Sequence, residues 1–334
     1  MVMNFTRIIK KVNINPLWCE KYCPSQIEQF YGDNLELESI FKHTKENPDF
    51  LSSMILIGPN GCGKSTFTKL LCKNILKDNY SQNLLELYCS INRNKTYLNN
   101  KLLIDNKNIS DFINNTNKKL KLKIITVYDI DTATYETQNL LVELLKFSHV
   151  RIIFTCNSVN NINNNILSSV IQVYINNVSY EESMNILCDI CLKENLVLDN
   201  ELKKIICITC SGDIKKIFGL MQTLSGVVEP SVEKFYKLID IPSYETINSI
   251  INYCSENNCI MAYKSANALI LNGYDISDII NMIEKTLIYI DLFNSNFNKE
   301  TQNHMLQVVT HYLVFNKHTV IQLFNMISKM CFTA

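Results

Sequence analysis

The chain has 334 residues, 47% of them hydrophobic and 19% charged, which exceeds one core of ordinary size and excludes wholesale disorder. Lys and Arg number 32 and so do Asp and Glu, so no whole-molecule field draws the protein to nucleic acid or membrane. Any contact with DNA has to be local or shared with other subunits. Thirteen cysteines, an odd number scattered through apolar stretches, read as reduced thiols in an intracellular compartment. No secretion-signal core follows Met1, and no uncharged apolar run approaches the roughly 18 residues of a membrane span. The expectation is a soluble intracellular protein with no membrane contact.

From about Pro16 to Asn176, short apolar runs alternate with longer helical patterns. The runs Met54 to Ile57, Leu84 to Leu87, Ile124 to Val127 and Ile152 to Phe154 lack polar alternation, which predicts a parallel sheet covered on both faces, a doubly wound α/β domain. Near Asn176 the pattern changes. Ser179-Tyr180-Glu181-Glu182 reads as a helix start, and from there apolar residues recur at helical spacing to the end, with Pro230 and Pro242 as punctuation and a break at Asn272-Gly273. The expected domains are 1–176 for the α/β part, 177–240 for a small helical domain and 241–334 for a second, all-α one.

Gly58-Pro59-Asn60-Gly61-Cys62-Gly63-Lys64-Ser65 satisfies G-x-x-x-x-G-K-[ST], follows the first apolar run and opens a helix through Thr66, Phe67 and Leu70. Glycines let backbone N–H groups wrap phosphates, Lys64 reaches the β and γ phosphates, and the Ser65 hydroxyl suits Mg²⁺. ATP with Mg²⁺ is the expected cofactor pair, and all eight loop residues with Thr66 are the expected contacts. The loop does not choose among P-loop families. Transporter-type ABC ATPases carry a similar one, but their LSGGQ segment has only the late, truncated near match Leu224-Ser225-Gly226.

Five further segments resemble one family in the right order. Pro16-Leu17-Trp18-Cys19-Glu20-Lys21-Tyr22-Cys23-Pro24 is similar to the box that opens replication factor C small subunits, with Cys23 in place of arginine. Leu85 to Arg93 aligns without gaps on Leu-Glu-Leu-Asn-Ala-Ser-Asp-Glu-Arg. Phe154-Thr155-Cys156-Asn157 resembles the sensor-1 strand, Ser211-Gly212-Asp213-Ile214-Lys215-Lys216 the sensor-2 helix with Lys215 where arginine is usual, and Leu271 to Ile280 the turn of the helical collar. The resemblance implies an AAA+ P-loop domain with a parallel sheet, a small helical lid and an all-α collar. It also implies a hetero-pentameric clamp loader that places a sliding clamp on primer–template DNA, in the nucleus of a eukaryote or at a viral replication site. It assigns Tyr22 and Lys215 to the nucleotide, Asn157 to the attacking water, and Arg93, with Lys95 beside it, to sequence-nonspecific DNA contact.

Two departures bear on activity. The family's Asp-Glu-Ala-Asp box falls on Tyr128-Asp129-Ile130-Asp131, so Asp129 stands in the place of the catalytic glutamate; with a one-residue gap it becomes the Mg²⁺-side acid instead. Either way one acid is gone. Leu167-Ser168-Ser169-Val170 sits where the family has Ser-Arg-Cys, so Ser169 replaces the arginine finger offered to a neighbouring subunit. The expectation is an ATP-binding subunit with weak or absent hydrolysis. A standalone P-loop ATPase and a non-hydrolysing scaffold are the alternatives.

Cys188-x₂-Cys191 and Cys207-x₂-Cys210 have zinc-like spacing but lie in apolar helical patterns without knuckle turns, which favours core packing. The run Lys118 to Lys123 reads as a solvated helix end leading into a strand, and the five histidines have no companions at catalytic spacing.

Overall fold

The computed structural model describes residues 16–32, 35–89, 122–292, 297–314 and 319–332. Arg93, Lys95 and the lysines from 118 to 121 lie outside these residues. The described chain forms two compact units. One takes the residues up to Ser179 together with Asp213–Gly219, and the other takes Tyr180–Gly212 and everything from Leu220.

The first unit is built on five parallel strands, β1 (Met54–Ile57), β2 (Leu84–Tyr88), β3 (Lys123–Tyr128), β4 (Val150–Cys156) and β5 (Ile171–Tyr174), in the spatial order β2-β3-β4-β1-β5. Around the sheet stand α1 (Trp18–Lys21), α2 (Leu35–Glu46), α3 (Lys64–Leu76), α4 (Tyr80–Asn83), α5 (Tyr135–Leu144) and α6 (Asn164–Leu167). Successive side chains of a strand point to opposite faces, and here both faces are covered. Met54, Leu56, Ile124 and Ile153 pack with Phe67 and Leu71 of α3 on one side; Ile55, Ile57, Ile125, Val127 and Phe154 pack with Leu141 of α5 on the other.

Four strands fall on the apolar runs the sequence shows. The fifth, β5, has no such run. It is an edge strand in which only Val173 is buried, while Ile171, Gln172 and Tyr174 face solvent. Lys123 corrects the reading of a solvated helix end. It is the first residue of β3 and is only 2% exposed; its ammonium donates to the Asn83 side-chain oxygen at 3.0 Å and the Gln82 carbonyl at 3.3 Å. Burial lowers its pKa.

The second unit is helical throughout its described residues: α7 (Tyr180–Glu194), α8 (Asn200–Cys210), the part of α9 (Ile214–Ser225) from Leu220, α10 (Val232–Ile239), α11 (Tyr244–Ser255), α12 (Cys259–Leu271), α13 (Ile276–Ile288), α14 (Lys299–Leu313) and α15 (Val320–Cys331). Helix α7 begins at Tyr180 with Glu181 and Glu182 in its first turn, where carboxylates oppose the positive end of the helix. The break at Asn272-Gly273 ends α12. Gly273 takes φ 95°, and the Gly273 and Tyr274 N–H groups bond back to Ile270 and Leu269, a left-handed turn that glycine adopts without a Cβ clash. Fully buried Ile247, Ile251, Ile283, Val309, Leu323 and Met326 form the core of α11 to α15. Cys191, Cys207 and Cys210 are buried and Cys188 is half-buried. Among the described residues no group of three or more His, Cys, Asp and Glu side chains stands close enough to hold a metal ion.

Burial pushes the thiols of Cys72, Cys89, Cys156 and Cys207 up from 9.0 to about 12, so the folded chain keeps protons that the unfolded chain releases. The stability they contribute is fully present below the unfolded value and is lost as pH rises past it. The urea midpoint is therefore expected to fall as pH rises from about 9 toward about 12, and a flat midpoint over that range contradicts the assigned burial.

Candidate functional site

The glycine-rich loop leaves the carboxyl end of β1, the strand at which the chain order along the sheet reverses, and carboxyl ends at such switch points are where open α/β sheets bind ligands. Gly61 and Gly63 take φ 77° and 99°, a region that side chains rarely enter. Contacts enforce the same choice. A Cβ on Gly58 would run into the Ile175 carbonyl, one on Gly61 into the Asp213 carboxylate and one on Gly63 into the Phe30 ring. Gly63 is also the N-cap of α3, and it supplies no side-chain cap. The first-turn N–H groups of that helix consequently face the loop, giving a positive pole with unused donors.

Lys64 is 7% exposed and folds over the loop. Its ammonium donates to the Gly58 carbonyl at 2.6 Å, the Pro59 carbonyl at 2.7 Å and the Asn157 side-chain oxygen at 3.1 Å. Each of these acceptors is neutral. Cys62 is buried beneath, its thiol pKa raised by burial and partly offset by Lys64. Thus Pro59, Cys62 and Asn157 serve the lysine, whereas Asn60, Gly61, Gly63, Lys64, Ser65 and Thr66 line a cleft of about 500 Å³.

The cleft's other walls come from segments distant in sequence. Cys19, Glu20, Cys23 and Pro24 line it from the N-terminal arm, Asp129 from the end of β3, and Asp213, Ile214, Lys215 and Phe218 from the start of α9. Tyr22 does not line it. Its ring stacks on Phe218 at 5.8 Å and meets Trp18 edge-on at 6.3 Å, fastening the arm. Phe30 and Tyr31 line the cleft instead, and neither is among the expected site residues. The adjacent aromatics before Gly32 are the signal that could have marked them. Asp213 belongs to the sensor-2-like motif, which assigns it no role. It is 8% exposed, and its carboxylate accepts the Lys216 N–H at 3.0 Å, capping α9 while abutting Gly61.

The altered acidic box is divided by the backbone. Tyr128 is 3% exposed; it stacks on Tyr88 at 4.7 Å, and its hydroxyl donates to Glu86 at 3.2 Å, on the β2 side of β3. Asp129 takes left-handed φ 56° and ψ 50°, with its N–H on the Thr155 hydroxyl at 3.2 Å, and lines the cleft. Asp131 turns back toward β4, where it accepts the Asn157 N–H at 3.1 Å. The cradle, Ser65 and Asp129 fit a magnesium-bound polyphosphate: two close-packed glycines, a buried cation, a hydroxyl and a carboxylate on one cleft. Ser169, the position of the missing arginine, donates its hydroxyl to the Asn165 carbonyl at 2.6 Å. It borders a separate depression with Arg151, whose guanidinium is engaged by the carbonyls of Leu51, Ser148 and Val150.

Tyr128→Asp would restore the letter of the acidic box but place a carboxylate in a buried site beside Glu86. It is expected to destabilise the fold by about 3 kcal/mol or more in urea unfolding, and unchanged stability contradicts the placement of Tyr128.

Residues 54–177 match the model of the AAA family, the ATPases associated with various cellular activities. Among curated proteins, the chain is 25% identical to the replication factor C small subunit of Sulfolobus acidocaldarius, over 81% of this chain and 82% of that one. It is 28% identical to the Picrophilus torridus protein of the same name, over 81% and 78%, and 24% identical to replication factor C subunit 4 of Arabidopsis thaliana, over 80% of each. Among solved structures, the Holliday junction branch migration motor RuvB of Thermotoga maritima superposes with TM-score 0.52 at 12% identity, over 69% of this chain and 79% of that one. A single-residue variant of the same motor gives 0.53 at 13%, over 80% and 91%. These structural likenesses establish the fold. The chain thus carries an AAA-family domain over residues 54–177, within a sequence similar over most of its length to replication factor C small subunits.

Proposed function

We propose that this chain is a small subunit of a sliding-clamp loader that binds ATP in the cleft of its AAA domain and hydrolyses it slowly. The observation that carries the reading is the cradle: buried Lys64, whose acceptors among the described residues are all neutral, beside a helix N-terminus without a side-chain cap at the sheet's switch point. Similarity to replication factor C small subunits over about four-fifths of the chain supports the assembly role. On this reading residues 177–240 act as a lid, residues 241–334 as a collar, and the partners are four related subunits, a sliding clamp and primer–template DNA gripped without regard to sequence.

In the proposed mechanism the amides of Gly61 to Ser65 and the positive end of α3 hold the phosphate chain, with Lys64 leaving the loop carbonyls for it. Mg²⁺, when bound, neutralises developing charge on the phosphates, and Ser65 and Asp129 are the residues to hold it. Asn157 orients water from the end of β4. Lys215 reaches in from α9 as a point charge, without the bidentate geometry of arginine.

Hydrolysis is slow because the acidic box keeps one carboxylate toward the cleft where two are usual. The chain also offers its neighbour Ser169, with no cation, and loss of an arginine finger typically costs on the order of 10³ to 10⁵ in rate. The scaffold reading draws on the same two losses and differs in making nucleotide irrelevant to assembly.

Two measurements decide among the readings. Native mass spectrometry of the tagged chain from its source is expected to find it with four related subunits; isolation as a free monomer favours the standalone ATPase. Lys64→Ala is expected to weaken ATP binding by at least about tenfold and to lower complex yield, since charge-assisted hydrogen bonds contribute roughly 1.5–3 kcal/mol each. Complex yield indifferent to Lys64→Ala and to added ATP favours the scaffold.

A further inference from the structure

Asp131 is not needed by the proposed mechanism, yet its position is tightly determined. The left-handed turn at Asp129 sends the two carboxylates apart, and the short turn Ile130–Thr132 brings Asp131 against the residue that follows β4. One Asp131 oxygen accepts the Asn157 N–H at 3.1 Å, and the Asn157 side-chain oxygen accepts the Lys64 ammonium, also at 3.1 Å. The chain of bonds therefore runs from Asp131 through the backbone and side chain of one residue to the cation of the cradle. The second Asp131 oxygen is buried and has no hydrogen-bond partner among the described residues. Burying a carboxylate oxygen without a donor is costly, and such groups persist where something besides stability retains them. The Asp131 charge also reaches the buried thiols on this side: desolvation is the main cause raising Cys89 and Cys156, followed by Asp129 and then Asp131 at Cys89, and at Cys156 by Asp131, which Lys64 partly offsets.

We propose that Asp131 is a positioning residue: by fixing the Asn157 backbone it sets where the Asn157 amide and the Lys64 ammonium stand over the terminal phosphate of the nucleotide. It acts through Asn157 and does not touch the ligand. The proposal rests on the nucleotide-binding reading above. Because Asn157 and Lys64 face the end of the phosphate chain, Asp131 governs the choice of triphosphate over diphosphate more than nucleotide affinity as a whole. Asparagine, which keeps an oxygen to accept the same N–H, retains much of the effect; alanine does not.

The test compares the wild-type chain with Asp131→Ala and Asp131→Asn, using fluorescent ATP and ADP analogues with Mg²⁺ and, separately, amide hydrogen exchange of the segment containing Asn157 without nucleotide. Lost supporting contacts typically cost roughly 10- to 100-fold, so Asp131→Ala is expected to lose about tenfold in ATP affinity, with ADP affinity changed by less than about threefold. It is also expected to speed exchange at Asn157, with Asp131→Asn closer to wild type in both readouts. If wild type binds and Asp131→Ala matches it for both analogues, or loses both equally, the positioning role is overturned while nucleotide binding stands. If wild type binds neither analogue, the nucleotide reading itself falls and the role falls with it.

Discussion

A buried ammonium with no ion pair among the described residues organises the first unit. Removing a cation from water is unfavourable unless charge or several good acceptors replace the lost hydration. Among the described residues Lys64 has three oxygen acceptors, all uncharged, two from its own loop and one from Asn157, with the Cys62 sulfur farther off at 3.9 Å. The positive end of α3 adds to the same field, with no side chain capping it. The folded chain therefore sets an ammonium and a helix N-terminus at the carboxyl end of β1, on a cleft that Glu20, Asp129 and Asp213 also line, so donors for a polyphosphate stand beside carboxylates for its cation. The glycines hold this arrangement in shape, because at Gly58, Gly61 and Gly63 a Cβ would occupy space already taken by Ile175, Asp213 and Phe30.

Around that potential, one strand end has been divided between structure and chemistry. Tyr128 belongs to the sheet, stacked on Tyr88 and bonded to Glu86, while the left-handed turn one residue later gives Asp129 to the cleft and Asp131 to the backbone of Asn157. A stretch that looks like a damaged acidic box in one dimension is, in three, a packed aromatic followed by two carboxylates with separate partners. The acid that follows this strand and lines the cleft is one methylene shorter than glutamate.

Much of this was legible in the sequence because the physics is local. Four strands announce themselves as apolar runs, and the cradle's φ angles follow from glycines at fixed spacing before Lys64 and Ser65. The illegible parts depend on contacts across the sheet or between distant segments. β5 has only Val173 buried and so lacks a run; Lys123 reads as a solvated charge until Asn83 and Gln82 are seen to receive it. Tyr22 resembles a nucleotide contact in sequence, but its ring is taken by Phe218, and Phe30 and Tyr31 line the cleft in its stead. No periodicity encodes that exchange, because it is decided by which aromatic the start of α9 meets.

On the proposed reading, the Lys64 ammonium and the α3 N-terminus receive a phosphate chain. A structure of the chain with Mg²⁺ and a non-hydrolysable ATP analogue tests this most directly. The expected result has phosphate oxygens at about 3 Å from the amides of Gly61 to Ser65, with the Lys64 ammonium moved from the Gly58 and Pro59 carbonyls onto the phosphates. An analogue bound elsewhere, or excluded while Lys64 keeps its present bonds to Gly58, Pro59 and Asn157, contradicts the account.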